Sequence, residues 1–415
     1  MAKNKPQIRF QGHENEWEEK TLKQVVNYSS TGVRACDVSD NGLYDLYDAN
    51  EVIGKTSTFA SETPYISIIK DGSGVGRVRL LPGRTNCLGT MGVITPKDSN
   101  DVNFAFSHLQ TKDFKKHIIS GAIPHVYFRD YGEDELCIPQ PIEQKKIGEL
   151  FRSLDELIEA KEQELEKLRQ IKLALLDGMF PSDEPDKLNR GGYNTLINNI
   201  LQMDNQLHVS TSELNVPVIR FRGFTEPWKK VSLSENATFS KGRGYSKADI
   251  KKTGTPILLY GSLYTNYNTS IEYVVSYADK KDGSIFSIGN EVVVPASGET
   301  AEDIARASAI YAKGIILGGD LNIIYPNEDI DPTFLALDIT YGRNHKLLVK
   351  KAQGISVVHL HNTDIQELDL VMPDKNEQKK IGDFFRGQDE NIRSAQLQIN
   401  KLRNIKQACM QKMFA

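Results

Sequence analysis

The chain has 415 residues, with 51 lysines and arginines against 55 aspartates and glutamates, a net charge of -4 and a pI near 6.1. At about 150 residues per domain, this length predicts two or three domains. The near-balance of charge argues against a generally basic coat for nucleic acid, but it leaves room for a local basic surface.

Segments for export or membrane insertion are not expected. Residues 1–20 are polar and lack the apolar core of a secretory signal, and no run of roughly 18 apolar residues predicts a membrane span. The four cysteines lie far apart and form no Cys-x-x-Cys motif. We therefore expect reduced thiols and a cytoplasmic protein.

The sequence contains one internal repeat. The motif Ile-Arg-Phe-x-Gly-x-x-x-x-Trp begins at Ile8 and again at Ile219, which is 211 positions later. The motif Glu-Gln-Lys-Lys-Ile-Gly begins at Glu143 and again at Glu377, which is 234 positions later. The second copy therefore has 23 more residues between its two motifs, so the repeat has similar ends and a divergent middle.

Each copy ends in a long segment with a heptad pattern, at 141–180 and 373–415. Each segment predicts one helix of about 40 residues, or about 60 Å, although Lys161, Lys172 and Gln388 interrupt the apolar stripe. We expect the two helices to pair antiparallel as a coiled coil. The expected residues of the helix pair and subunit interface are Ile147, Phe151, Leu154, Ile158, Leu165, Leu168, Ile381, Phe385, Ile392, Ile399 and Leu402.

The remaining segments indicate an α+β protein with two mixed α/β domains, at 1–140 and 216–372, separated by the helix pair in a pseudo-twofold internal repeat. Residues 181–215 predict a linker that carries one short helix at 196–201. The predicted strands are 63–69, 77–81, 91–95, 126–128, 256–260, 291–295, 314–317 and 322–325, and the predicted helical segments are 102–117 and 331–340.

The motifs of the common nucleic-acid enzymes are missing from the sequence. No two prolines are adjacent, which excludes the Asn/Asp-Pro-Pro-aromatic turn that holds a flipped base in amino-methyltransferases. The string 49–56 lacks the first glycine of a P-loop, and 72–77 ends in Arg77 where a dinucleotide site needs glycine. His359 and His361 have no third neighbouring ligand, so no metal site is predicted. These absences favour a protein without a catalytic site.

Basic residues cluster at three places that we interpret as candidate DNA contacts; an ordinary solvated surface is the alternative interpretation. Between Lys229 and Lys252 there are seven basic residues against two acidic ones, interleaved with aromatic side chains. The candidates there are Lys241, Arg243, Tyr245, Lys247, Lys251 and Lys252. The other two sets are Lys70, Arg77, Arg79 and Arg84 near three glycines, and Arg343 and Asn344 in a polar turn at 341–346.

These features together resemble the specificity subunit of a Type I restriction-modification system. The strings that begin at Pro139 and Pro373 resemble its Pro-x-x-x-Glu-Gln-x-x-Ile signature. The domain openings Arg-Phe-x-Gly-x-x-x-x-Trp and the Met-Phe helix tails at 179–180 and 413–414 also fit. The Gly-bearing loops at 120–121 and 353–354 resemble the loop that this family carries before its last strand.

The resemblance implies a non-catalytic DNA-binding subunit with two target-recognition domains, each reading one half of a split, asymmetric site. Its helices would space the half-sites and dock two methyltransferase subunits, with motor-nuclease subunits joining for ATP-dependent cleavage. S-adenosylmethionine, ATP and Mg²⁺ are then expected on the partner subunits, with no cofactor in this chain. Two other functions stay open, a single-chain methylase or nuclease with a diverged site and a two-module protein scaffold.

Overall fold

A computed structural model describes residues 6–181, 206–210, 216–265, 267–354 and 357–414. The chain forms two compact units. Unit 1 comprises residues 1–163 and 397–415, and unit 2 comprises residues 164–396. Each unit therefore combines one mixed domain with the first part of the long helix that follows it and the last part of the other long helix. The predicted short helix at 196–201 lies outside the described residues.

Unit 1 is built from nine short strands and four helices. The strands are β1 Glu18–Thr21, β2 Val26–Ser30, β3 Tyr44–Tyr47, β4 Val52–Thr56, β5 Tyr65–Ile69, β6 Val78–Leu81, β7 Asn86–Cys87, β8 Met91–Pro96 and β9 Glu135–Ile138. The helices are α1 Leu22–Val25, α2 Val102–Gln110, α3 Phe128–Tyr131 and α4 Pro141–Met179, of which the last continues into unit 2. Two single-turn 3-10 helices lie at Ala35–Asp37 and Phe114–His117.

The main sheet of unit 1 has the order β2-β8-β5-β6, and both of its faces are covered. Strand β5 is buried along its whole length because its alternating side chains enter two different clusters. Ile66 and Ile68 pack with Phe104 of α2, whereas Tyr65 and Ile69 pack in the second cluster. A small sheet of order β4-β3-β7 and the β1-β9 pair complete the domain.

Unit 2 repeats this plan with additions. Its strands are β10 Leu207–Val209, β11 Ile219–Phe221, β12 Lys229–Ser232, β13 Ala237–Lys241, β14 Thr255–Leu258, β15 Ser270–Ile271, β16 Tyr277–Ala278, β17 Glu291–Pro295, β18 Ser297–Gly298, β19 Ser308–Ile310, β20 Ile316–Leu317, β21 Leu321–Pro326, β22 Val358–His359 and β23 Asp369–Met372. Its helices are α5 Leu233–Asn236, α6 Ser262–Thr265, α7 Ala301–Ile304, α8 Pro332–Tyr341, α9 Arg343–Lys351, α10 Asn362–Gln366 and α11 Lys375–Met413, which continues into unit 1.

The main sheets of the two units correspond strand by strand. Unit 2 has the order β13-β21-β17-β19-β15, in which the first four strands match β2-β8-β5-β6. The small sheets match as well, since β7 pairs parallel with β3 and β20 pairs parallel with β14. The repeat seen in the sequence is therefore a repeat of fold.

The 23 extra residues of the second copy lie mainly at one place. Strand β14 begins 211 positions after β3, but β17 begins 226 positions after β5. Residues 259–290 of unit 2 are therefore 15 residues longer than the matching stretch 48–64 of unit 1. This stretch carries α6, β15 and β16 and adds a fifth strand to the sheet.

Several sequence predictions were wrong in detail. The segment 126–128 is not a strand. Val126 is buried but belongs to no strand, and Phe128 is the first residue of a helix. The segment 102–117 is broken after α2 and resumes as a 3-10 turn. Part of the predicted linker is a strand, since Leu207–Val209 pairs with β11 and Leu207 is buried. Within the described residues, no helix is long and apolar enough to cross a membrane.

Candidate functional site

The two repeated sequence motifs meet at the start of each long helix. In unit 1, Arg9 Nε and Nη2 donate to the two carboxylate oxygens of Glu143 at 2.7 and 2.8 Å. In unit 2, Arg220 makes the same paired contact with Glu377, at 2.7 Å for both bonds. Such two-point arginine–carboxylate contacts fix orientation as well as charge. The repeated Arg-Phe and Glu-Gln motifs thus join each domain opening to its helix.

The glutamine of the same motif joins the helix to the domain a second time. Gln144 Oε1 accepts from the Asp101 backbone N–H at 3.1 Å, and Gln378 Oε1 accepts from that of Asp331 at 2.8 Å. Asp101 and Asp331 are the residues that cap α2 and α8. Both long helices are therefore anchored to the start of a buried helix in their own domain.

The glycine that ends the motif allows this close packing. A Cβ atom at Gly148 would lie 2.2 Å from Asp101 Oδ1 and 2.9 Å from the backbone nitrogen of Phe104. At Gly382 the matching distance, to Asp331 Oδ1, is 3.0 Å. The long helices thus touch the capped ends of α2 and α8 at positions where a side chain does not fit freely.

The helix tails close the core of the other copy. In unit 1, the ring of Phe414 lies 5.6 Å from both Phe104 and Phe151, centroid to centroid. In unit 2, Phe180 lies 5.5 Å from Phe334. Phe104 and Phe334 occupy the same place in the repeat, three residues after the capping aspartate. Each domain therefore uses the tail of the helix that follows the other domain.

Ion pairs fix the antiparallel register of the helix segments within each unit. In unit 1, Lys406 Nζ lies 2.6 Å from Asp155 Oδ1, and Arg403 Nη2 lies 2.6 Å from Glu162 Oε1. In unit 2, Lys172 pairs with Asp389. Lys172, which interrupts the apolar stripe in the sequence, is thus a partner in a half-buried ion pair.

The predicted helix-pair residues divide into two groups. Seven are buried, namely Ile147, Phe151, Ile158, Leu165, Ile381, Phe385 and Ile399, and four are half-buried, namely Leu154, Leu168, Ile392 and Leu402. Ile147 and Phe151 lie in the core of unit 1 together with domain residues. The stripe therefore packs against the domains as well as against the other helix. The predicted interface set leaves out Ala174, Leu176, Met179, Phe180 and Met413, which are all buried. A role of any of these residues in contacts with partner subunits stays a prediction.

The strongest candidate DNA surface is the basic loop, which we define as residues 242–254 between β13 and β14. Arg243, Lys247, Lys251 and Lys252 are exposed there, with Lys241 just before the loop. Among the described residues, Arg243, Lys247 and Lys252 have no ion-pair partner. Unpaired, exposed cations on a loop are the groups that phosphate oxygens require.

Tyr245 lies under this surface. Its backbone has a positive φ of 60°, which is rare for a residue with a side chain. Its hydroxyl lies 2.5 Å from Ser284 Oγ and accepts from the Lys281 backbone N–H at 2.7 Å. Lys281 Nζ also lies 4.7 Å from the centre of the Tyr245 ring. Sequence reasoning missed Lys281 and Ser284, because they are 36 and 39 residues away in the chain.

Acidic residues of the same surface are largely neutralised. Lys281 Nζ lies 2.5 Å from Asp249 Oδ1, and this hydrogen bond lowers the pKa of Asp249 below its ordinary value. Lys251 pairs with Asp279. Residues 241–252 and 279–282 together hold seven basic and three acidic side chains, so the surface stays cationic at neutral pH.

Asn344 is unavailable to DNA and is a correction to the predicted site. It is fully buried in α9, and its Nδ2 donates to Asp338 Oδ2 at 2.6 Å and to the Asp369 carbonyl at 3.1 Å. The segment 341–346 is polar because it begins a helix and holds this internal network. Arg343 is half-buried in the same helix.

The candidate residues of unit 1 do not lie in the loop that matches the basic loop of unit 2. Arg77 donates to Asn50 Oδ1 at 2.8 Å, and Arg84 donates to Glu62 Oε1 at 3.2 Å. Arg79 lies over the Tyr47 ring at 5.5 Å, and Lys70 is half-buried at the end of β5. These arginines are held by their own domain. The loop that matches the basic loop is 31–43, which holds one basic and two acidic residues.

No metal centre is formed by the residues that the structure describes. There, no group of three or more His, Cys, Asp or Glu side chains is arranged to hold a metal ion. The His359 and His361 rings stack at 6.5 Å with an interplanar angle of 3°. They stack on each other and do not converge on a common point.

Comparison with known proteins follows the same repeat. The sequence pattern of the Type I restriction modification DNA specificity domain matches twice, at residues 14–170 and 225–404. A search of the curated proteins gave no match.

Solved structures similar to this chain also come from such systems. The Type I restriction-modification S subunit from M. genitalium has 16% sequence identity and a TM-score of 0.65, with 99% of each chain covered. A structure on complex assembly and conformational transition of the type I R-M system has 12% identity and a TM-score of 0.48, covering 97% of this chain and 98% of that one. The HsdS subunit from Thermoanaerobacter tengcongensis has 12% identity and a TM-score of 0.40, with 96% of each chain covered.

The two matched regions cover most of the chain and coincide with the two copies of the repeat. The fold is that of the M. genitalium S subunit. The chain belongs to the family of Type I restriction-modification DNA specificity subunits and carries two DNA-recognition domains.

Proposed function

We propose that this specificity subunit reads a bipartite, asymmetric DNA site, with one recognition domain on each half. The observation that carries the proposal is that the two units share the same helix anchors but differ in the loops that we assign to DNA contact. The helix anchors match in both units, from Arg9–Glu143 to Arg220–Glu377. The matching loops 242–254 and 31–43 have the same length but differ in charge, since the first holds four basic residues and one acidic residue and the second holds one basic and two acidic residues. Two similar domains with different DNA-facing loops are what two different half-sites require.

The long helices act as the spacer between the half-sites and as the docking site for two methyltransferase subunits and the motor-nuclease subunits. Exposed apolar side chains on these helices support the docking role. Ile142, Leu173, Leu397 and Ile405 are more than 40% exposed on α4 and α11. Isolated exposed apolar residues are ordinary, but on a helix with a polar face they suit a partner protein.

The chemistry of the assembled complex resides in the partner subunits, and this chain has no catalytic role. The methyltransferase subunits carry S-adenosylmethionine and methylate adenine, and the motor-nuclease subunits use ATP and Mg²⁺. The absence of a Pro-Pro turn and a P-loop from the sequence supports this division of labour. The complex would work in the bacterial cytoplasm, on the nucleoid, where its DNA lies.

Footprinting of the methylase complex assembled from this chain tests the proposal. We expect one protected site with two sequence-specific halves and a non-specific gap. Protection without sequence preference would contradict the proposal, and no protection at all would favour a protein scaffold. The purified chain alone is expected neither to consume S-adenosylmethionine nor to cut DNA; either activity would favour the single-chain enzyme.

A further inference from the structure

The basic loop packs against a part of unit 2 that belongs to the longer stretch 259–290. The stretch 259–290 is 15 residues longer than 48–64. Within it, residues 277–284, which we call the support segment, lie against the basic loop. Four residues of the support segment contact the loop through their side chains or backbone hydrogen bonds, namely Tyr277, Asp279, Lys281 and Ser284.

The loop is fixed at both ends by backbone hydrogen bonds. At its start, the Arg243 N–H donates to the Leu317 carbonyl at 3.1 Å, and the Gly244 carbonyl accepts from the Gly319 N–H at 2.5 Å. Near its end, the Lys251 N–H donates to the Tyr277 carbonyl at 2.8 Å. The six residues 245–250 between these points are held by side-chain contacts and by local backbone hydrogen bonds of the 3-10 turn.

Tyr245 supplies the main contact of this middle part. Gly244 and Tyr245 are consecutive residues in the left-handed region, with φ values of 61° and 60°. A residue with a Cβ atom adopts this conformation only where surrounding contacts hold it. The contacts here are the two hydrogen bonds of the Tyr245 hydroxyl, to Ser284 Oγ and from the Lys281 N–H.

The conformation at Tyr245 sets where the neighbouring cations point. Arg243 precedes the left-handed pair, and Lys247 follows it in the 3-10 turn Lys247–Asp249. That turn is capped by Ser246 and held by the ion pair from Lys281 to Asp249. A shift of Tyr245 therefore moves Arg243 and Lys247 relative to each other. The spacing between two cations is what matches them to particular phosphates and base edges.

We propose that the support segment fixes the DNA-reading conformation of the basic loop, with Tyr245 and Ser284 as positioning residues for the half-site that the second domain reads. Arg243, Lys247 and Lys252 are the DNA-contacting residues in this arrangement. This inference rests on the proposed bipartite recognition and adds which residues control one half of it. The first domain holds Arg34 at the position that matches Tyr245, so it reads its half-site without this tyrosine contact.

The test uses the methylase complex assembled from the full chain and its methyltransferase subunits. The DNA probes are duplexes with the methylated target, once it is known, and every single-base change in each half-site. Methylation rates give the discrimination for each half separately. We expect Tyr245→Phe and Ser284→Ala to lower discrimination in one half-site by about ten-fold and to leave the other within about two-fold.

Three further variants separate positioning from damage to the fold. Ser284→Thr keeps the hydroxyl and is expected to keep discrimination. Tyr273→Phe removes a hydroxyl from an exposed tyrosine of the same 259–290 stretch that makes no hydrogen bond within the described part of the chain, and it is expected to behave as the parent. Tyr245→Gly fits the positive φ without needing the side-chain hydrogen bonds. This variant is expected to fold and to lose discrimination in the same half-site.

The outcomes distinguish failure of the support role from failure of the proposed bipartite recognition. Equal loss in both half-sites, or no change in either for Tyr245→Phe and Ser284→Ala, would overturn the role of the support segment. Either result leaves the proposed function intact, as long as the parent complex reads a bipartite site. A parent complex that reads no bipartite site would instead overturn the proposed function, and the support role with it.

Discussion

Lys406 Nζ lies 2.6 Å from Asp155 Oδ1, an ion pair that joins the last turns of α11 to the first half of α4. The same two positions of the repeat, exchanged between the helices, pair Lys172 with Asp389 in unit 2. Lys172, which interrupts the apolar stripe, and Lys406 at the matching position thus each meet an aspartate of the other long helix. A polar pair within an apolar seam selects one register, because any other leaves a charge against apolar side chains.

Breaking the more buried of these pairs is expected to destabilise unit 2. Lys172 and Asp389 have side chains that are 11% and 22% exposed, so removing one partner leaves a poorly solvated charge. We expect Asp389→Asn to lower the free energy of unfolding by about 1–3 kcal/mol. The pair of Asp155 with Lys406 is more exposed, so Asp155→Asn should lower the free energy of unfolding by less than about 1 kcal/mol.

Urea unfolding measures both changes. The double variant Lys172→Met with Asp389→Leu is the matched control, since it replaces the pair by apolar groups of similar size. It is expected to recover most of the loss. If Asp389→Asn is as stable as the parent, the pair does not fix the register.

Replacing glycines of the long helices by alanine is expected to lower stability at one position and to raise it at another. Gly148→Ala places a Cβ 2.2 Å from Asp101 Oδ1 and is expected to lower stability by about 1–3 kcal/mol. Gly387 lies in α11 with nothing within 4 Å of an added Cβ. Gly387→Ala should therefore raise stability by up to about 1 kcal/mol through helix propensity. Gly382→Ala, with its nearest contact at 3.0 Å, should fall between the two. Thermal unfolding gives the order, and a stabilising Gly148→Ala would contradict the close contact at that helix start.

Much of this frame could be predicted from the sequence. The two motifs at Ile8 and Glu143 repeat at Ile219 and Glu377, and their repetition reflects contacts that the fold makes twice. A heptad pattern and the scarcity of glycine and proline suffice to predict a long helix. Pairing of an arginine with a glutamate 134 positions away has no local signal, so the contact itself was not predicted.

The candidate DNA surface was less accessible to prediction. Composition showed that 229–252 is basic, but polarity alone did not separate an exposed turn from a buried polar network. Asn344 was predicted as a DNA contact because it lies in a polar string, yet it is buried against Asp338. The partners of Tyr245 come from the longer stretch 259–290, and neither spacing nor composition indicates that they meet.

Asp338 gives unit 2 a pH dependence of known sign. Burial raises the pKa of Asp338 to about 6, above its ordinary value of 3.8. The folded state therefore binds the proton more tightly than the unfolded state. Stability from this group is present below pH 3.8 and is lost as the pH rises to about 6, by roughly 3 kcal/mol in total.

Removing the ionisable group should remove this slope. We expect Asp338→Asn to abolish the loss of stability between pH 4 and pH 6, whereas Asp282→Asn, at an exposed position, should keep it. Trp228 fluorescence in a Trp17→Phe background reports unit 2 during urea unfolding at pH 4, 5, 6 and 7. The same slope in Asp338→Asn and the parent would assign the pH dependence to another group.

A chain that ends after Phe180 is expected to pair with a second copy of itself. Phe180 and Phe414 occupy the same place in the repeat, as do Lys172 and Lys406. A second copy can therefore offer Phe180 to Phe104 and Lys172 to Asp155 in place of the missing second helix. Such a dimer would read a palindrome built from the first half-site.

Sedimentation and footprinting of that half-length chain with its methyltransferase subunits check this prediction. Lys172→Asp in the half-length chain is the matched control, since it places two acids together and should prevent pairing. A monomer that binds no DNA would contradict it.

The central claim is that two unlike recognition domains on a repeated frame read two different half-sites. The most direct measurement is the adenine methylation pattern of genomic DNA in cells that carry this subunit with its methyltransferase partner. The account predicts one asymmetric sequence made of two specific parts with a gap of fixed length, and no methylation without this subunit. Methylation at a single continuous sequence, or a pattern that persists when this subunit is deleted, would contradict it.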